Sequence, residues 1–374
     1  MAEVSRSVRR SYVEVADELC ADIRAGKYSS SHSFPSLTRI MRRFGVTRVT
    51  AMRIVDELKR RGVITAVPRS GILVKNVNRT IGLIVPGIAY SEFFPPIVSE
   101  ISRLAQKEGY TLLFGDVSSR SAEQRACAAK RLAKGFALQN VAGVLYQPIE
   151  LVDDAERANR EILSIFGRAN APVVILDSDF VPAPRRGCYD VVGIDNHSAG
   201  MLAATHLLDL GVRRIGFQKR PKCSASVNDR LRGVVSAIFS RLGDVDKRLV
   251  LESEPTDVNA VRRYLRRYKP QAVICGNDTA AVDLMRSFGK LGLKVPDDIM
   301  LVGFDDVKCA SIVTPRLTTV RQPCAQIAKT AFYSLLRRIE NPDLPPKTIS
   351  LPVELIVRES TLNLSSTDKT GEQK

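Results

Sequence analysis

Residues 44–58 read FGVTRVTAMRIVDEL. Gly45-Val46 spells a turn, and Thr47 stands where a side-chain hydroxyl can cap the first free N–H groups of a helix. Ala51, Met52, Val55 and Leu58 then recur at the spacing of one buried helical stripe. Packing needs that stripe alone. Arg48, Thr50 and Arg53 face the other way at the exposed start of the helix, so this helix carries a task besides packing.

Working outward, Val15, Ala16, Leu19, Cys20 and Ile23 keep helical spacing upstream, and Gly26 is placed to end that helix. The polar stretch KYSSSHSF (27–34) is a loop. PSLTRIMRRF (35–44) sets Leu37, Ile40, Met41 and Phe44 on one face of a short second helix. Downstream, Gly62 ends the third helix, and VITAVPRSGILVK (63–75) reads as two short strands around a Pro-Arg-Ser-Gly turn. Helix, helix, turn, helix and wing make the winged helix-turn-helix plan. In that plan the start of the third helix enters the major groove, where arginine bonds guanine edges or phosphate. The free N–H groups of the helix N-terminus also favour a phosphate. Thr47, Arg48, Thr50 and Arg53 are therefore candidate DNA contacts, with Arg39, Arg42 and Arg43 as candidate phosphate contacts. Arg69 in the wing would approach the minor groove or the backbone. The expected partner is double-stranded DNA.

Charge agrees once it is located. The 374 residues carry a net +16, yet residues 1–80 hold 16 Lys+Arg against 7 Asp+Glu, and the other 294 hold 40 against 33. A fifth of the chain thus carries more than half of the excess, which points to an anionic partner for that segment. With 44% hydrophobic and 26% charged residues the chain is expected to be soluble and globular, with two or three domains. No apolar run reaches the roughly 20 residues of a membrane helix. The N-terminus has no apolar secretion core, and seven scattered cysteines form no Cys-x-x-Cys pair. Reduced thiols and a cytoplasmic location are expected.

The N-terminal segment resembles the GntR family of bacterial regulators over about residues 11–75, on IRAGKY, FPSLTRIMRRFGVTRVTAMRIVDELKRRGVI and SGILV. It departs from that pattern at Leu37-Thr38, where the family usually has an acidic-basic pair whose arginine contacts DNA, and at Arg69, where glycine is common. The resemblance therefore implies an altered operator contact.

From Thr80 onward, short apolar strands alternate with helices: TIGLIVP, TLLFGDV, VAGVLYQP, APVVILDSD, DVVGID, RIGFQK, AVICGN and MLVGFDD mark the strands. Such alternation implies parallel sheets flanked by helices, with too many units for one sheet, so two doubly wound lobes are expected. A ligand would sit where strand C-termini face each other across a cleft. Polar residues directly follow apolar runs at Gln147, Asp177, Asp195-Asn196, Asn277-Asp278 and Asp305-Asp306. LGLKVPDD before IMLVGFDD, then TPRLTTVRQP (314–323) and PVELIVRES, resemble the sensor domain of LacI/GalR repressors and type I sugar-binding periplasmic proteins over about residues 80–362.

That resemblance implies a sugar effector. Asp305 would accept from sugar hydroxyls, and Arg230, three residues before Gly233, would donate. Asn277 and Asp278 match the polar strand-end position, and Gln322 a polar residue in a crossover. Asp177 would end the strand feeding the first crossover, and Ser91, Glu92 and Phe93 would lie in the first strand–helix loop. Asp195 either contacts the ligand or caps the helix from Ser198; Asp306 is a turn or cap residue beside the ligand group. The chain has no tryptophan, so Phe93, Phe94, Phe304 or Tyr146 would cover the apolar face of a sugar.

The expected fold is α/β: a winged helix over residues 1–74, a linker over 75–80, two parallel-sheet lobes joined by three crossovers over 81–362, and a disordered tail over 363–374. The first lobe is expected at about 81–180 and 322–347, the second at about 190–320 and 348–362. The whole resembles arabinose-responsive repressors: a homodimer whose DNA affinity is switched by a small sugar. A sensor without specific DNA binding and a sugar-acting enzyme are the alternatives. Against the enzyme, no nucleophile elbow, phosphate loop, dinucleotide fingerprint or His/Cys grouping is present, and no cofactor or metal is expected. The basic runs RRYLRRYK (262–269) and GVRRIGFQKRPK (211–222) read as solvated faces rather than a second nucleic-acid surface.

Overall fold

A computed structural model describes residues 11–24, 28, 34–67, 71–74, 78–85, 87–88, 91–117, 121–152, 154–181 and 185–362. Arg69, linker residues 75–77 and the tail 363–374 lie outside these residues.

The N-terminal unit is built from α1 (Tyr12–Arg24), α2 (Leu37–Phe44), α3 (Arg48–Arg60) and an antiparallel hairpin of β1 (Ile64–Val67) and β2 (Gly71–Val74). Gly45 closes α2 at φ 62, a left-handed conformation that glycine adopts without a Cβ penalty, and Thr47 begins α3 by accepting from Thr50 N at 3.3 Å. Val15, Ala16, Leu19, Ile40, Ala51, Ile54 and Leu58 are fully buried. One expected member of the stripe is misplaced. Met52 is 49% exposed, and Ile54 packs inside in its stead. At 100° per residue, Met52 lies a quarter-turn off the line through Ala51, Val55 and Leu58.

The remaining chain forms two six-stranded sheets. Helices and strands alternate through β3 (Thr80–Val85), α4 (Phe94–Lys107), β4 (Thr111–Asp116), α5 (Ala122–Leu138), β5 (Gly143–Tyr146), α6 (Ala155–Arg168), β6 (Val173–Leu176) and β7 (Asp190–Ile194). The chain then crosses to α7 (Asn196–Asp209), β8 (Ile215–Lys219), α8 (Ala225–Leu242), β9 (Val250–Glu252), α9 (Val258–Tyr268), β10 (Ala272–Cys275), α10 (Asp278–Lys290), β11 (Met300–Asp305), α11 (Lys308–Ile312) and β12 (Thr318–Arg321). It returns through α12 (Cys324–Glu340) to β13 (Thr348–Leu351) and crosses again to β14 (Glu354–Ile356). The first sheet runs β13-β7-β6-β5-β3-β4, all parallel; the second runs β14-β12-β11-β10-β8-β9, parallel except at β14. Strands such as β5, β6 and β10 are buried at every residue, as sheets covered by helices on both faces require.

Three crossovers join the lobes, at Asp195, at Gln322-Pro323 and at Pro352-Val353. The expected lobe boundaries need correction. Residues 190–194 and 348–351 belong to the first lobe, because β7 pairs with β6 on one side and β13 on the other. The Arg338 guanidinium and Lys347 N both bond the Asp190 carboxylate, at 2.8 and 2.7 Å, which ties β13 to that edge. Strand β7, not β6, therefore feeds the first crossover, so Asp177 ends an interior strand. Residues 78–80 are not linker either: Thr80 begins β3, and Asn78 Nδ2 donates to Gln139 O at 2.9 Å.

The basic run 262–269 is helical. Val261, Tyr264 and Tyr268 face inward on α9, and its four arginines are exposed.

Candidate functional site: a cleft between lobes and an exposed helix start

Strand C-termini carry the cleft residues. Asp177 follows β6 at φ 70 and Asp305 ends β11 at φ 106, both in the left-handed region that side chains rarely adopt. Strain of this kind persists where surrounding structure enforces it, and it concentrates at binding sites. Gln147 lies one residue past β5, and Gln322 one residue past β12 in the second crossover. Arg230 sits in the second turn of α8, 4% exposed.

These five side chains meet. Gln322 Nε2 donates to Asp305 Oδ1 at 2.7 Å, and the Gln147 side chain lies close enough to Asp177 to lower its proton affinity. Arg230 lies between the two pairs, with Nη1 3.6 Å from Asp305 Oδ1 and its field lowering the proton affinity of both carboxylates. Its guanidinium is fixed by Nε donating to Asn196 Oδ1 at 2.9 Å, by Nη1 donating to Gly276 O at 2.7 Å, and by stacking 4.7 Å over the Phe304 ring. Burial pushes Asp305 up to about 6, against Arg230 and Gln322 and with help from Asp177. Burial likewise raises Asp177, opposed by Arg230 and Gln147. The Oε1 atoms of Gln147 and Gln322 are buried and have no hydrogen-bond partner among the described residues. A buried acceptor is costly to leave without a donor, so both oxygens are suited to accept a hydrogen bond from a ligand hydroxyl or a water.

Close helix packing positions Arg230. A Cβ on Gly200 would lie 2.0 Å from Arg230 O, and one on Gly233 would lie 1.9 Å from His197 O. Only glycine lets α7 and α8 approach so far, which brings Asn196 and Arg230 together.

Glu150 escaped the sequence reading. It lies three residues beyond Gln147, and its carboxylate accepts from Ala225 N across the cleft at 3.2 Å. Burial and the nearby Asp177 push it up to about 7, against the Ala225 bond and Arg230. Its place just past the C-terminal end of β5 was the available signal. With Asp179, Lys222, Cys223 and Asn228 it lines a cavity of about 480 Å³ between loops of the two lobes.

Other expected contacts have different roles. Asp278 is fully buried beneath β11: its Oδ1 accepts from Thr319 Oγ1 at 2.6 Å and its Oδ2 from Val307 N at 3.0 Å. Both oxygens are engaged, so Asp278 is a support for the strand ends, not an effector contact. Asp195 is exposed and caps α7, accepting from Ser198 N and Oγ at 3.0 and 2.6 Å, which holds its carboxyl below the usual range. It is a cap. Asn277 caps α10 through Oδ1, accepting from Ala280 N at 2.9 Å, so its capacity toward a ligand is the Nδ2 donor pair. Glu92 accepts from Cys309 N at 3.2 Å, linking the two lobes, and Ser91 Oγ accepts from Phe93 N. Phe93 is core, edge-on to Phe94 at 5.1 Å. Phe304 and Tyr146 are fully buried, the first beneath Arg230 and the second bonded to Asn159. Asp306 bonds Arg321 at 2.7 Å and Arg358 at 2.6 Å, closing the fold beside the cleft.

On the winged helix, Arg39, Arg42, Arg48 and Arg53 are exposed and form no ion pair with any described residue. The hydroxyls of Thr47 and Thr50 lie 3.0 Å apart at the start of α3. Arg43 is different. Its guanidinium donates to Asp22 at 2.6 Å, to Glu18 at 3.1 Å and to the Tyr28 hydroxyl, so it ties α2 to α1 instead of reaching for phosphate. Val49 and Met52, 64% and 49% exposed, add an apolar strip beside Arg53 that the stripe analysis did not anticipate. Such side chains can meet a thymine methyl.

Comparison with known proteins agrees with this architecture. Residues 11–74 match the model of the bacterial regulatory proteins, gntR family, and residues 204–361 match the periplasmic binding protein-like domain. The HTH-type transcriptional repressor PurR of Shigella dysenteriae is 30% identical over 306 residues, covering 79% of this chain and 83% of that protein. The arabinose metabolism transcriptional repressor of Geobacillus stearothermophilus is 28% identical over 367 residues, covering 94% and 97%. Among solved structures, a LacI family transcriptional regulator from Enterococcus faecalis with bound ribose superposes with a TM-score of 0.61 at 27% identity, over 75% of this chain and 98% of that one. The chain belongs to the LacI-type family of transcriptional repressors, with a GntR-type helix-turn-helix domain at its N-terminus.

Proposed function

We propose that this protein is a cytoplasmic, homodimeric repressor whose winged helices bind a pseudo-palindromic DNA operator and whose cleft binds a small sugar or sugar-like effector that alters that binding. The observation that carries the effector half is Arg230 held 3.6 Å from Asp305, which Gln322 bonds at 2.7 Å, with the Oε1 atoms of Gln147 and Gln322 buried and unpartnered among the described residues. Hydroxyl groups both donate and accept, and so complement an arrangement of carboxylates, amides and one guanidinium. Ribose bound to the Enterococcus faecalis regulator supports a monosaccharide-sized ligand. The DNA half rests on the exposed start of α3 and the concentrated positive charge before residue 80.

A role without catalysis is favoured by the carboxylates themselves. Asp305 and Asp306 are adjacent, but Asp306 is held by two arginines, so they cannot straddle one glycosidic bond as a hydrolase pair does. Among the described residues, no helix is long and apolar enough to cross a membrane.

The test has two arms. Monosaccharides added at 100 times their dissociation constant should stabilise the protein by about 2.7 kcal/mol, a thermal shift of a few degrees. The same sugar should change the affinity for the natural operator, measured by anisotropy at several salt concentrations. DNA binding with no salt dependence would refute phosphate contacts, and turnover of the sugar would refute a purely regulatory role.

A further inference from the structure

The outward face of α3 is not uniformly polar. Ala51, Ile54, Val55 and Leu58 fill its inner side. Val49 and Met52 are 64% and 49% exposed, and neither is among the hydrophobics that pack against the core of this domain. On a helix turning about 100° per residue, Met52 and Val49 stand about 40° and about 100° round from Arg48, and Arg53 about 140°. Two apolar side chains therefore hold the middle of the outward face at the helix start, and two arginines border it. One turn further along that face, Asp56 is exposed and paired with Lys59 at 3.3 Å, so the apolar pair is confined to the start. The hydroxyls of Thr47 and Thr50 lie 3.0 Å apart, and Thr47 also accepts from Thr50 N. A face that met phosphates alone would gain nothing from Val49 and Met52, because phosphate contacts are made by charged and hydrogen-bonding groups. In the major groove the apolar group on a base edge is the C5-methyl of thymine; the other edges present donors and acceptors.

We propose that Val49 and Met52 read thymine in the operator, packing against its C5-methyl group while Arg48 and Arg53 bond guanine edges or phosphates on either side. This rests on the DNA binding proposed above and adds a base that it selects. The two side chains divide the task by stiffness. Val49 is branched at Cβ and presents a fixed surface, whereas the unbranched Met52 adjusts to the position of the methyl.

The experiment begins with duplexes selected from a random pool by the intact protein, since selection supplies the operator. In a tightly bound duplex each thymine is replaced in turn by deoxyuridine, which lacks only the C5-methyl, and affinity is read by anisotropy at constant salt. At least one thymine of each half-site should lose about fourfold, the effect of burying one methylene-sized group. In Val49→Ser/Met52→Ala the same replacement should cost no affinity, and the melting temperature should stay at the wild-type value because both side chains are exposed. Arg39→Ala, on α2, should bind DNA more weakly and keep the fourfold loss. Equal binding of thymine and deoxyuridine duplexes by the wild type, or an undiminished loss in the double variant, overturns methyl reading and leaves DNA binding standing. No sequence enriched from the pool overturns both.

Discussion

Two arginines five positions apart, Arg43 and Arg48, differ only in what surrounds them. Arg43 meets Asp22, Glu18 and Tyr28, whereas Arg48 faces solvent at a helix start. Arg48→Ala should weaken operator binding at least tenfold, in line with about 1–3 kcal/mol for a good base contact, with sugar affinity unchanged. A parallel loss of sugar binding would contradict the separation of modules. Arg43→Ala should instead lower the melting temperature, because the nearly buried Asp22 loses a charge-assisted hydrogen bond at 2.6 Å, a cost of about 1.5–3 kcal/mol. In the cleft, pH offers a second check. Asp305 and Glu150 are raised to about 6 and 7 above ordinary carboxylates. A raised acid binds its proton more tightly in the folded state, so its contribution is full below its ordinary pKa and is lost as pH rises through the folded value. Ligand-free Asp305→Asn should therefore gain stability relative to the wild type as pH rises from about 4 to about 6, with little further change above that. A difference that does not vary with pH would show that the carboxylate is not held in that environment.

Among the elements, the α7–α8 pair places the binding arginine. Gly233→Ala forces a Cβ into His197 O, where backbone cannot yield cheaply. Overpacking of this kind costs about 1–3 kcal/mol, and it should move Arg230 away from Asn196 and Asp305. Lower thermal stability together with at least tenfold weaker effector binding is expected. Full effector affinity in Gly233→Ala would show that helix spacing does not set the arginine. At the recognition helix, Thr47 and Thr50 hold the first turn. Thr47→Ala should cost about 1 kcal/mol through the lost cap and weaken DNA binding beyond any single phosphate contact. Melting and anisotropy measured on the same sample separate the two effects.

For the whole molecule, three crossovers connect lobes that also touch through Glu92–Cys309 and Glu150–Ala225. Those bonds require the lobes to be close, so a ligand bound between them shifts the balance of lobe arrangements by its differential affinity and no more. Coupling is reciprocal: if effector weakens operator binding by a given factor, operator must weaken effector binding by that factor. Titrating effector with and without saturating operator measures both sides of the cycle. Unequal factors would mean that a further species, such as a change in oligomeric state, takes part.

The sequence alone determined what depends on local spacing. Helical periodicity at 15–23 and 37–44, the turn at Gly45 and the cap at Thr47 are dictated by neighbours within a few residues, and the structure has them as read. Apolar strands followed by polar residues at Asp177, Asp305 and Gln147 were legible for the same reason, since strand ends of parallel sheets open onto a cleft. Distant pairing was not legible. Nothing in DVVGI says which sheet will take it; the bond of Asp190 to Arg338, 148 residues away, assigns it to the first lobe. Asp195 and Asp278 follow apolar strands just as Asp305 does, yet the fold makes one a cap and encloses the other under β11. Glu150 belongs to the cleft only because Ala225 from the other lobe comes to meet it. Local chemistry fixes what a residue is able to do, and packing between remote segments decides which of those capacities faces water, protein or a ligand.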